Sequence, residues 1–271
     1  MIRLMARIAL PVLLLLWLGQ PALAQQSFDH GLWQLLLERH VKLIDEGRAS
    51  QVDYAGMAED RQALDDYLQS LAGISEQAFS SWRDAEQLAF LINAYNAFTV
   101  ELILTEYPNL ESIRDLGSLF RSPWARRFIP LFGEQVSLDY IEHDLIRGPD
   151  GYGEPRIHFV VNCASIGCPA LRQEVLVAEK LEQQLEEATR LFLADRSRNR
   201  LDGNTLRISE IFDWYEEDFE QGWRGTNSVG QFLVVYQQAL GLSDSVVAKL
   251  EQDDFRIRHL NYDWSLNSIT D

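Results

Sequence analysis

The chain has 271 residues with 24 Lys and Arg against 41 Asp and Glu, a net charge of −17, and 46% hydrophobic and 11% aromatic residues. This charge repels phosphate backbones and anionic surfaces, which excludes nucleic acid as a partner, and so apolar a composition excludes a disordered chain. No Pro/Ser-rich linker and no internal repeat interrupts it, so one domain is expected.

The first residues, MIRLMARIALPVLLLLWLGQPALAQQ, have an Arg-bearing start, an apolar run and the small-residue signature Ala22-Leu23-Ala24. This pattern predicts a secretory signal peptide over 1–24, cleaved after Ala24, and a single domain over 25–271. The apolar run from Ile8 to Leu18 is shorter than the ~20 residues a membrane span needs, and Pro11 interrupts it. No stable membrane insertion is expected after cleavage. No cysteine follows the cleavage position to take a lipid, and the expected location is periplasmic or secreted.

Residues 28–47 predict an amphipathic helix ending at Gly47, and a second helix is expected from about Glu59 to Leu71. The stretch 86–108 is apolar on every side from Leu88 to Leu104, which predicts a core helix. Asn93 and Asn96, three apart, share one of its faces, where they either tie down loop backbone or face a substrate. Glu101 should be paired or at a pocket edge, because an isolated buried carboxylate is costly.

RRFIPLFGEQVSL reads as two short strands turning near Gly133, and SLDYIEHDLIRG as a helix opened by Ser137 and closed by Gly148. Leu138, Ile141 and Leu145 would form its buried stripe, with Glu142 half-buried at the edge and His143 turned away. RIHFVV predicts a buried strand ending at Asn162-Cys163. A helix over about 178–194, a hairpin at Asp202-Gly203, three helices near 209–219, 226–240 and 243–251, and a final strand in FRIRHLNYDWSLN complete the pattern. The fold class is α+β, helix-rich, around a small, mainly antiparallel sheet.

Both cysteines of the chain lie in RIHFVVNCASIGCPAL. One Cys-x4-Cys pair without a second pair is half of a zinc site at most, so no metal or other cofactor is expected. A Cys163–Cys168 disulfide is sterically reasonable, and so small a loop gains little stability from closure. As a nucleophile, Cys163 sits at an element terminus, where turn N–H groups can receive an oxyanion, and needs an imidazole base. In an extended strand His158 would lie roughly 16 Å from Cys163 on the opposite face. His143 and His259 therefore remain candidates beside it, and Asn162 adjoins the thiol.

FLINAYNAFTV, SLDYIEHDLIR, RIHFVVNCASIGCPAL, ISEIFDWYEEDF and NYDWSLN occur in this order, and with them the chain resembles the domain of unknown function 547 family from about Val52 to its end. The resemblance implies a fold like papain-type thiol hydrolases and a Cys-His-Glu constellation. The cysteine falls on Cys163, the histidine on His158 or His143, and the acid on Glu142 or Glu101. The expectation is an exported thiol-dependent hydrolase or acyl transferase acting on peptide or amide bonds, with Asn93, Asn96 and Asn162 contacting substrate. The alternative is a non-catalytic periplasmic binding or scaffold domain with a Cys163–Cys168 disulfide. A metal-dependent hydrolase using His143, His158 and acidic neighbours is the third reading.

Overall fold

A computed structural model of the chain describes residues 27–118 and 121–269. The expected signal peptide, 1–24, lies outside the described residues. Helices α1 (Gly31–His40), α2 (Tyr54–Glu59), α3 (Arg61–Ala72) and α4 (Glu76–Ser80) pack around α5 (Asp84–Leu104), in which every residue from Leu88 to Val100 is buried. Helix α5 is long and apolar enough to cross a membrane, but 83% of its most apolar stretch is buried inside this fold. It is therefore the core helix that its all-round apolarity predicts.

The helix expected over 28–47 stops early. Val41–Ile44 leave it as strand β1, which pairs antiparallel with β2 (Ala49–Val52) in the register Val41↔Val52. Asp45, Glu46 and Gly47 turn the hairpin with positive φ, so the glycine read as a helix end instead completes a strand turn. The expected hairpin at Gly133 is present as β3 (Ile129–Leu131) and β4 (Glu134–Val136).

Ser137 opens the next helix as expected, its Oγ accepting from the Tyr140 N–H at 3.1 Å. From Tyr140 to Ile146, however, the turn widens to a π-helix, seen in the bond from the Arg147 N–H to the Glu142 carbonyl at 3.0 Å. The wider turn shifts the phase of the buried stripe. Ile146 joins the core, Leu145 packs against it only partly buried, and Glu142, expected half-buried, is only 4% exposed.

RIHFVV is not a strand. Pro155–Phe159 form a 3-10 turn started by the Glu154 carboxylate, which accepts from the Arg156 N–H at 3.0 Å. A continuous apolar run fits a buried helical turn as well as a buried strand, and here Ile157, Phe159 and Val160 all enter the core. Arg156 is 2% exposed and bonds Glu154 and Glu182. It anchors the turn to α6 (Leu181–Ala194).

Strands β5 (Arg200–Asp202) and β6 (Thr205–Ser209) form the Asp202-Gly203 hairpin; short helices α7 (Ile211–Trp214), α8 (Glu216–Phe219), α9 (Val229–Val235), α10 (Gln237–Leu240) and α11 (Asp244–Leu250) follow. Strand β7 (Arg256–Leu260) then adds to β6 in parallel. The fold class is thus α+β and helix-rich. The single sheet expected from the sequence is instead two antiparallel hairpins and one mixed three-stranded sheet. Residues 261–269 cross the cysteine loop, bridging Ser165↔Leu266 and Val52↔Ser268.

Candidate functional site

The cysteine loop is built by asparagine side chains. Asn96 donates to the Val160 carbonyl at 2.9 Å and accepts from the Asn162 N–H at 2.8 Å. Asn162 donates to the Pro169 carbonyl at 2.8 Å and accepts from the Ala164 N–H at 2.9 Å. This holds Ala164 at φ 60°, a left-handed conformation that costs a residue with a Cβ roughly 1 kcal/mol. Asn93 joins α5 to Leu176 in the same two-bond manner, at 2.8 and 3.1 Å. The expected substrate contacts of Asn93, Asn96 and Asn162 therefore need correction. All three are buried and bonded to backbone at both ends of the amide, so they position the loop.

Cys163 and Cys168 are joined by a disulfide bond. Cys163 is half-buried, while Cys168 is 2% exposed. Tyr262 lies over the pair, its hydroxyl 3.1 Å from Cys163 Sγ and 3.2 Å from Cys168 Sγ, with Ser165 Oγ at 3.3 Å from each. Gly167 permits this seat, because a Cβ there would meet the Tyr262 ring at 2.8 Å. Burial first, with Asp263 and Glu142 adding to it, pushes the Tyr262 phenol up, so it stays a donor. The loop N–H groups of Cys163, Ala164, Ile166 and Gly167 are all engaged, on Cys168 Sγ, Asn162, Ser265 and Asp263. The oxyanion donors expected from these positions are therefore already committed, and the Tyr262 hydroxyl donates to Cys168 Sγ.

Cys163, Cys168 and Tyr262 form one wall of a cleft of about 180 Å³ whose other sides carry Glu142, His143 and His158. A second opening of about 230 Å³, between Arg48 and Arg172, is lined by neither thiol nor imidazole. His158 is 2% exposed, stacked on Tyr215 with ring centroids 3.9 Å apart, and its Nε2 lies 2.6 Å from Asp218 Oδ2. Asp218 also takes Arg147, at 2.5 Å to Nε and 3.1 Å to Nη2. Burial alone would raise the Asp218 carboxyl, but the bonds from His158 and Arg147 hold it at about 2. It is ionised and can only accept. The proton of the neutral ring is then on Nε2, which leaves Nδ1 with a bare lone pair. Nδ1 has no hydrogen-bond partner. Burial lowers the His158 pKa, with the Asp218 bond opposing, and favours this neutral base.

The other candidates sort by contact. His143 lines the cleft with its side chain 43% exposed, its Nδ1 accepting from Arg147 Nη1 at 2.5 Å and its Nε2 lying 4.0 Å from Asp139. Glu142 faces the phenols of Tyr95 and Tyr215, and after burial itself its charge is what most raises both. Its Oε1 has no partner. The carboxylate that holds the imidazole is Asp218, on α8, and not Glu142. Glu101 is paired as expected, but with Arg61 at 2.7 Å and away from the cleft. His259, on β7, lies 3.3 Å from Asp213 and does not line the cleft either. Among the described residues no group of three or more His, Cys, Asp or Glu is arranged to hold a metal ion.

Asp218 escaped the sequence reading, although the quoted ISEIFDWYEEDF contains it; among the acids of that run only the helix phase distinguishes it. Tyr262 likewise sits in NYDWSLN.

Fold and site together define a helix-rich α+β domain with a paired-cysteine, imidazole–carboxylate cleft. Residues 79–193 match the model of the family described as Protein of unknown function, DUF547. The match spans α5, the π-helix and the cysteine loop, and so contains Asn96, Glu142, His158 and Cys163. It ends before Asp218 and Tyr262. No curated protein and no solved structure matches the chain.

Proposed function

We propose that the protein is an exported thiol-dependent hydrolase or acyl transferase acting on peptide or amide bonds, with Cys163 as nucleophile once an external dithiol has reduced its bond to Cys168 by thiol–disulfide exchange, the dithiol leaving as the disulfide. The observation that carries this reading is the His158–Asp218 pair, whose imidazole lines the same cleft as Cys163 and keeps Nδ1 without a hydrogen-bond partner. In the reduced form the Cys163 proton passes to Nδ1 as sulfur attacks the carbonyl carbon. His158⁺ returns that proton to the leaving nitrogen as the C–N bond breaks, and water or another nucleophile releases the acyl group. Asp218 holds the ring and offsets its transient charge. The Tyr262 hydroxyl is the donor available to the carbonyl oxygen. The likeness to papain-type hydrolases belongs to this reading and concerns the constellation rather than the topology.

The test is hydrolysis of a pooled set of fluorogenic peptide amides by reduced and oxidised protein. Cleavage by the reduced form that disappears in Cys163→Ala is expected, and cleavage that persists in that variant would overturn the reading.

The second reading, a non-catalytic periplasmic binding or scaffold domain, draws on the disulfide itself, which leaves no free cysteine among the described residues. It expects ligand binding to be equal in oxidised protein and Cys163→Ala, with no thiol-dependent turnover.

A further inference from the structure

The cleft has an unusual charge balance. Asp139 and Glu142 line it, and no Lys or Arg does among the described residues. Glu142 is 4% exposed, makes no salt bridge, and keeps Oε1 without a partner. The Arg147 guanidinium is committed to Asp218 at 2.5 Å. The Tyr95 and Tyr215 hydroxyls hydrogen-bond the Glu142 carboxylate, but a buried carboxylate without a paired cation is still costly.

The same cleft carries a cluster of aromatic rings. Trp214 stacks on Trp264 with centroids 5.4 Å apart, Tyr262 lies 4.5 Å from Trp264 and 4.8 Å from Trp214, and Trp124 meets Trp264 edge-on at 5.7 Å. Trp214 is 41% exposed despite its size. The Arg114 guanidinium already lies over Trp264, 5.3 Å from the ring centroid, and the remaining π-faces, that of the exposed Trp214 first, attract an organic cation more strongly than a neutral chain, most strongly where water is displaced.

We propose that this cleft binds an alkylammonium group, with the nitrogen at the Glu142 carboxylate and the alkyl stem along the Trp214–Trp264–Tyr262 wall. As an assignment of substrate class, a peptide or amide carrying an amine near the bond to be cut, it rests on the hydrolase reading. As a binding site it stands without it. Inorganic cations do not account for the indole rings of Trp214 and Trp264, which offer no oxygen ligands.

The experiment is calorimetric titration of oxidised full-length protein with Nα-acetyl-lysine methylamide and with Nα-acetyl-norleucine methylamide, which keeps the four-carbon stem and lacks the amine. The lysine derivative should bind at least about tenfold more tightly. Glu142→Gln should reduce that preference to within about twofold, and Trp214→Ala, at the exposed rim, should weaken the lysine derivative about threefold. Equal affinities for the two probes, or no measurable lysine-derivative binding, overturn the proposal. Should Glu142→Gln lose its near-ultraviolet circular dichroism, a folded Trp214→Ala with unchanged affinity overturns it instead. The titration is repeated on Cys163→Ala, which cannot turn over. A preference retained there while no thiol-dependent hydrolysis is found leaves the ammonium site standing and removes only the hydrolase reading.

Discussion

Asp218 accepts a 2.6 Å hydrogen bond from His158 across 60 residues of chain, and the same carboxylate binds Arg147. One side chain on α8 therefore sets both the tautomer of the buried imidazole and the place of the Arg147 guanidinium.

Replacing Asp218 by Asn removes the acceptor that keeps the proton on Nε2, and an amide that donates there moves the proton to Nδ1. The rate at which reduced Cys163 reacts with a peptidyl electrophile should fall about 100-fold. Stability should fall by about 3 kcal/mol, since Arg147 loses a part-buried partner. Nitrogen-15 shifts of the His158 ring report the tautomer independently of stability. An unchanged ring spectrum with an unchanged rate would mean the base is elsewhere.

Reduction should make the two thiols unequal. Cys163 is half-buried at the cleft, and Cys168 is 2% exposed beneath Tyr262 and Ser165. After mild reduction, iodoacetamide should modify Cys163 at least about tenfold faster than Cys168, and the oxidised protein should not react. Peptide mapping by mass spectrometry decides, and preferential labelling of Cys168 would count against a nucleophilic Cys163.

Acid should weaken the fold through His30. Burial lowers this imidazole from 6.5 to about 4, with the charge of Asp29 opposing, and the neutral ring accepts from the Tyr67 hydroxyl at 2.7 Å. Because the unfolded chain takes up the proton first, the contribution is complete above pH 6.5 and is lost as pH falls to about 4. The amount is about 3 kcal/mol. His158, also lowered by burial, acts in the same direction. Urea unfolding at neutral and mildly acid pH measures the loss, and NMR titration of the His30 ring locates it. A ring that titrates near its ordinary value refutes the assignment.

Asn96→Ala should cost about 3 kcal/mol, because it strands the buried Val160 carbonyl and Asn162 N–H together. Asn96→Asp keeps the acceptor and should recover part of that loss. A cost under about 1 kcal/mol, read from urea midpoints, would show that the loop does not depend on this amide.

Much of the local structure was legible. The all-round apolarity of 88–104 specifies a core helix, Ser137 a helix start, and Gly133 and Asp202-Gly203 two hairpins, because each signal acts within a few residues. Two local readings failed for physical reasons. RIHFVV is apolar at consecutive positions, which does not distinguish a strand from a buried turn, and Glu154 and Pro155 selected the turn. The π-helix at Tyr140–Ile146 shifts side chains by a fraction of a turn that no 3.6-residue period contains, so Glu142 went deeper than its spacing implies.

By itself the sequence determined the acidic surface, the helix-rich class, the cysteine pair and the polar residues that could serve it, since these follow from composition and near-neighbour patterns. Only the tertiary structure decided that Asn93, Asn96 and Asn162 hold backbone, that Asp218 and not Glu142 takes His158, and that Tyr262 covers both sulfurs. Those partners lie far apart along the chain. Which acid meets which ring depends on how α8 and the last nine described residues pack against the cysteine loop, and that packing is set by shape and burial across the whole core.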